Sequence, residues 1–178
     1  MTESDTNVLR LAATLLATEV TPALLDSLQV PDTRAALSGI EPACADLLER
    51  SWQSADFENA AVEFCRLFIL NPAAPPRAAA WLEEVSGIDA LVVAGMMQSW
   101  IDDGFLEVEP AFSTLPPDHV ALLLFVLAEI GRDDPDRAAQ FRQDQLDSWL
   151  PQFLERLEEE SGHPFYTLAA KLVRGVLA

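Results

Sequence analysis

Apolar residues return at intervals of three and four along nearly the whole chain, the spacing that gathers them on one face of an α-helix. No stretch alternates convincingly at two, as a half-buried strand would. Val8, Leu11, Ala12, Leu15 and Leu16 make the first stripe. Start signals follow closely. Thr21-Pro22, Val30-Pro31-Asp32 and Glu41-Pro42 each place proline at the first helical position, where its missing N–H costs nothing. Four short helices are therefore expected within residues 1–50.

From Ser54 the stripe lengthens. Phe57, Ala61, Phe64, Leu67 and Phe68 share one face, opposite Asp56, Glu58, Asn59, Glu63 and Arg66, which predicts an amphipathic helix of about four turns. Asn71-Pro72 and Pro75-Pro76 end it, and a short helix carries Trp81. Residues 88–101 are apolar on almost every side, as in a helix at the middle of a bundle, and Gly104 suits the left-handed position that closes it. Residues 105–117, with three prolines and two acids, read as the one extended connection.

Asp118-His119 open the most hydrophobic helix, which ends near Gly131. Asp134-Pro135 start a long one whose inner line includes Phe141, Gln145, Trp149, Phe153 and Leu157; Pro151 should bend or break it by removing a helical donor. The last helix begins at Pro164 and buries Phe165, Leu168, Ala169, Leu172 and Val176. Lys171 and Arg174 lie near its C-terminus, where the dipole favours cations. The predicted fold is all-α: a bundle of about ten helices in two packed lobes. An N-terminal lobe over about residues 1–104 and a C-terminal lobe over 118–178 are joined by a proline-containing hinge at 105–117.

Composition narrows the partners. Half of the residues are apolar, with nine Phe and four Trp, and mean hydropathy is +0.15, so the chain can bury a sizeable core. Its 11 basic side chains face 29 acidic ones, a net charge of −18, which repels phosphate backbones and anionic headgroups; no nucleic-acid partner is expected. The longest wholly apolar run, Val120 to Ala128, is less than half of the roughly 20 residues a bilayer requires, so no stable membrane insertion is expected. The opening MTESDTN lacks the basic start of a signal peptide, which predicts a cytoplasmic protein. Cys44 and Cys65 have no metal-ligand spacing and read as small core residues, reduced in that compartment.

The catalytic vocabulary is poor: two His, one Tyr and one Lys, without a glycine-rich phosphate loop, GxSxG or HExxH. No enzyme, metal or catalytic residue is expected. Glu155, Glu158, Glu159 and Glu160 read as a solvated face, and His163 as an exposed turn residue. Asp118-His119 is the one polar pair in an odd position, between Pro116-Pro117 and nine apolar residues. Either the aspartate caps the helix, or the pair lines a cleft at the lobe junction and offers a carboxylate to a cationic ligand and an imidazole to donate or accept. Both readings can hold together.

The order of the motifs resembles the TorD/DmsD family. The resemblance rests on Glu63-Phe64-Cys65-Arg66-Leu67-Phe68, the Pro75-Pro76 to Trp81 loop, Pro116-Pro117-Asp118-His119, Phe141 through Phe153, and Phe165-Tyr166-Thr167-Leu168-Ala169. It runs from about residue 55 to the C-terminus. It implies an all-helical cytoplasmic chaperone that helps mature molybdoenzymes, binding the precursor or its twin-arginine signal peptide. It also assigns client binding to Leu67, Phe68, Trp81, Pro116, Asp118 and His119; core packing is the competing reading for Leu67, Phe68 and Trp81. The chain departs from the family at Arg77-Ala78-Ala79-Ala80-Trp81, where members often show Glu-Ser-Val-Tyr after the proline pair, and at Gln145, where a histidine is common. Some members bind guanine nucleotide or contact the molybdenum cofactor, but no phosphate-binding motif here argues for either, and no cofactor is expected.

A twin-arginine leader joins two cations to an apolar segment of roughly 7–15 residues, so its receptor needs an apolar groove rimmed by negative charge. On this reading Asp118→Ala weakens leader binding and leaves the melting temperature nearly unchanged. Two rivals stand beside it. One is an all-helical acidic adaptor or regulatory domain that binds another protein without leader recognition. The other is a small enzyme with Asp118 and His119 as an acid–base pair, disfavoured by the apolar run after His119. Both a monomer and a lobe-swapped dimer suit the extended connection.

Overall fold

A computed structural model describes residues 1–85, 95, 110 and 112–178. Among these, helix starts follow the local signals. Thr2 and Asp5 cap α1 (Glu3–Ala17) reciprocally, and the Thr21 side chain accepts from Leu24 N–H ahead of α2 (Pro22–Leu28). Proline opens α3 (Pro31–Ile40) and the single 3₁₀ turn (Pro42–Cys44), which runs into α4 (Ala45–Glu49). Next come the amphipathic α5 (Ser54–Phe68) and the short α6 (Ala79–Val85), then the apolar α7 (Val120–Asp133). The predicted long helix is two, α8 (Pro135–Gln145) and α9 (Leu150–Glu160), with Pro151 in the first turn of the second. The chain closes with α10 (Pro164–Leu177). Ten α-helices and no strand are described, so the fold is the predicted all-α bundle. The predicted helix at 88–101 with Gly104, and most of the connection at 105–117, lie outside the described residues.

The helices pack in two groups. α1 lies against α7 and α10, α7 against α8, and α9 against α10, while α2, α3, the 3₁₀ turn and α4 form a smaller group leaning on α10. Chain order does not decide membership, since α1 joins helices that follow it by a hundred residues or more. Its stripe is centred on Leu9, Ala12, Ala13, Leu15 and Leu16, with Val8 and Leu11 at the margin. Arg10 reinforces this contact, pairing with Glu129 at 2.5 Å and lying over the Phe125 ring.

The smaller group is pinned by Glu41, only 7% exposed, whose carboxylate accepts from Lys171 Nζ at 2.6 Å and from the Ala43 N–H at 3.1 Å. The Lys171 hydrogen bond holds this carboxyl below its usual range, against the opposing effect of burial. α5 is fixed from the other side. Phe64 and Phe68 flank Tyr166, whose hydroxyl donates to the Ala60 carbonyl at 3.1 Å.

Three expectations shift. Cys44 is buried as predicted, and burial pushes its thiol up to about 12, but Cys65 is only half-buried because it lies at the edge of the α5 stripe. Val176 is likewise at the margin of α10. His163 is not an exposed turn residue. Its Nδ1 accepts from Phe165 N–H to cap α10, and its ring packs against Trp52, Phe165 and Tyr166. Among the described residues no helix is long and apolar enough to cross a membrane.

Candidate functional site

Beyond Phe68 the chain reverses at Asn71, whose φ of 50° is a left-handed conformation that asparagine tolerates. Ala73 and Ala74 N–H then bond back to the Arg66 and Leu67 carbonyls. The following Pro75-Pro76 pair cannot continue a helix and leaves its carbonyls free to accept. Pro76 O takes the Val120 N–H at 2.7 Å, Pro75 O takes Trp81 Nε1–H at 2.8 Å, and Ala78 N–H donates to Asp118 O at 3.0 Å. An isolated antiparallel bridge pairs Arg77 with His119. Residues 75–79 are thus clamped alongside 116–120.

Asp118 is the buckle of this clamp. At 1% exposure its Oδ1 accepts from Arg77 Nε at 2.9 Å and its Oδ2 from the Ala79 N–H at 3.2 Å. It therefore caps the start of α6 rather than its own helix. The cap of α7 is His119, whose Nδ1 accepts from Ala121 N–H at 3.2 Å and so leaves the ring proton on Nε2. Burial lowers the His119 pKa to about 4; Arg77 adds to the effect and Asp118 opposes it. The ring is neutral at neutral pH.

Over this clamp lies an open groove of about 570 Å³. Phe68 and Ile69 line it beside Pro72, Pro75, Pro76, Leu115 and Pro116, with Arg77 and His119 as its polar groups. Of the sequence-predicted residues, Phe68, Pro116 and His119 reach the lining. Asp118 lies behind it, its carboxylate committed to Arg77. Leu67 is fully buried in the core. Trp81 is half-buried, edge-on to Phe153, and braces Pro75 through its indole N–H.

Sequence reasoning missed Ile69, Pro72 and Arg77. Ile69 and Leu70 are large apolar residues 54% and 73% exposed just past the end of α5, and an apolar pair continuing beyond a helix end was the available signal. The expected rim of carboxylates is absent from the described lining, whose one charged residue is the cation Arg77. Equally, the expectation that Asp118→Ala leaves the melting temperature unchanged does not survive the burial and bonding of that carboxylate. No group of three or more His, Cys, Asp or Glu among the described residues could hold a metal ion.

Comparison with known proteins adds a family. Residues 30–155 match the model described as nitrate reductase delta subunit. The chain is 30% identical over 186 aligned positions to a chaperone protein TorD of Vibrio vulnificus strain CMCP6, covering 90% of this chain and 85% of that protein; the strain YJ016 protein matches to the same extent. A Tat proofreading chaperone DmsD of Salmonella typhi is 33% identical over 119 positions, covering 64% of this chain and 56% of that one.

Proposed function

The chain belongs to the nitrate reductase delta subunit family, in which its relatives are TorD and DmsD chaperones, and from that premise we propose that it assists maturation of a molybdoenzyme precursor in the cytoplasm, holding the apolar part of a twin-arginine leader in the groove at Phe68, Pro116 and His119. The family is one of chaperones, not of enzymes. The observation that carries the leader reading is the groove itself: an apolar lining of suitable size, held by backbone hydrogen bonds between segments 75–79 and 116–120.

Burying about 400 Å² of apolar leader surface yields ~10 kcal/mol gross at roughly 25 cal/mol per Å². Ordering the flexible peptide and losing its translational freedom consume much of this, leaving affinity in the micromolar range. The leader's two cations lie outside the groove, over the acidic surface that the net charge of −18 provides. That field speeds encounter and makes the association rate fall with salt.

Two measurements test the reading. Proteins that co-purify with the chain should include a molybdoenzyme precursor, and the leader of that precursor should bind the isolated chain in a calorimetric titration. Ile69→Glu puts a charge on an exposed groove residue and should reduce that binding at least tenfold at an unchanged melting temperature. Co-purification of unrelated proteins, with no leader binding, would favour the adaptor instead.

A further inference from the structure

Resting on the groove reading above, we infer that the client segment seated in the groove presents a carboxylate to Arg77, with His119 as a second donor, so that an apolar stretch carrying Asp or Glu at the end away from the leader's two cations is its preferred occupant. Arg77 is the one charged residue in the described lining. Its Nε is spent on Asp118 at 2.9 Å, and that carboxylate is buried while the arginine side chain is 51% exposed. The ion pair therefore anchors one edge of the guanidinium within the protein. The terminal nitrogens have no partner among the described residues. A guanidinium held this way offers two parallel N–H donors with little rotamer freedom left to lose, the geometry a carboxylate matches.

His119 complements it. Its Nδ1 already accepts from Ala121, so the ring proton is on Nε2, and the ring borders the groove as a neutral donor. Burial keeps it from charging at neutral pH. Asp118 cancels the formal charge of Arg77 at long range but not at contact. A ligand oxygen on the terminal nitrogens is nearer the guanidinium than the carboxylate bonded to its far edge, and Coulomb attraction falls with distance. A lysine or arginine at the same place would meet Arg77 first, among apolar walls whose described residues offer it no counter-charge. The small Ala79 and Ala80 beside Arg77 leave its approach open.

The test uses labelled synthetic peptides that share one leucine-rich apolar segment and carry Asp, Asn or Lys next to it, at either end, measured by fluorescence anisotropy on the whole chain. The Asp peptide should bind about 5–10-fold tighter than the Lys peptide, with Asn between and the spread narrowing at high salt. The double variant Arg77→Gln/Asp118→Asn keeps a hydrogen-bonded pair without the charges and should bind all three alike. Equal binding of the three by the parent chain, or a preference for Lys, overturns the inference and leaves the groove reading intact. A preference for Asp that persists in the folded double variant overturns it too. Should that variant fail to fold, the preference of the parent chain and its response to salt decide the matter. Failure of every peptide to bind the folded parent chain overturns the groove reading itself.

Discussion

Asp118→Ala separates a structural brace from a ligand-binding carboxylate. The parent side chain is 1% exposed and accepts two hydrogen bonds. Its loss leaves Ala79 N–H without an acceptor at the start of α6, which costs about 1 kcal/mol as for other helix caps. It also removes a charge-assisted bond to Arg77, in general about 1.5–3 kcal/mol. That second term is discounted, because Arg77 is half exposed and regains water, and because a buried carboxylate no longer has to be desolvated. The net expectation is about 2 kcal/mol. For a chain of this size each kcal/mol moves the midpoint by about 2–4 °C, so Asp118→Ala should melt about 4–8 °C lower. Asp118→Asn, which keeps an oxygen for Ala79 N–H, should lose about half as much. Circular dichroism gives the melts, and urea titration should show a lower midpoint at an unchanged slope. An alanine variant that melts within about a degree of the parent would refute the brace. If such a variant also lost leader affinity, the carboxylate would be acting on the ligand directly.

Acidification supplies a second check. The folded pKa of His119, about 4, is below the unfolded value of 6.5, so the unfolded chain takes the proton first. Its contribution to stability is complete above pH 6.5 and is lost as pH falls towards 4, by up to ~3 kcal/mol. Glu41 has a depressed pKa too, and its contribution fades at lower pH, below the ordinary carboxyl value and through the folded one. Urea midpoints that stay flat from neutral pH to about 4 would contradict the His119 assignment, and midpoints that fall no further below pH 4.5 would contradict the Glu41 one. Lys171→Met strands the Glu41 carboxylate and should cost about 1–2 kcal/mol, the lysine end of the pair being partly exposed; adding Glu41→Gln should recover part of it in a double-mutant cycle. Maleimide labelling of the native chain should modify half-buried Cys65 well before Cys44, whose thiol is both buried and pushed up to about 12; the reverse order would contradict the packing of the 3₁₀ turn.

Much of the fold is legible in the chain because its signals are local. Proline lacks a donor, so Pro22, Pro31, Pro42, Pro135 and Pro164 could only open helices, and Pro151 had to interrupt one. The site was less legible. Leu67 and Phe68 are neighbours in sequence, yet the 100° between successive helical residues buries the first and brings the second to the groove. Periodicity gave their shared face but not which of them borders open space.

The sequence by itself determined that this chain is helical, acidic and rich enough in apolar surface to form a core, since propensity, spacing and net charge require no knowledge of distant contacts. Only the tertiary structure decided that Asp118 answers Arg77, 41 residues earlier, and that His119 takes over the cap of α7. The difference is physical. A helix is closed by hydrogen bonds four residues apart, whereas the groove and the place of Arg77 in it exist only where two remote extended segments are bonded side by side.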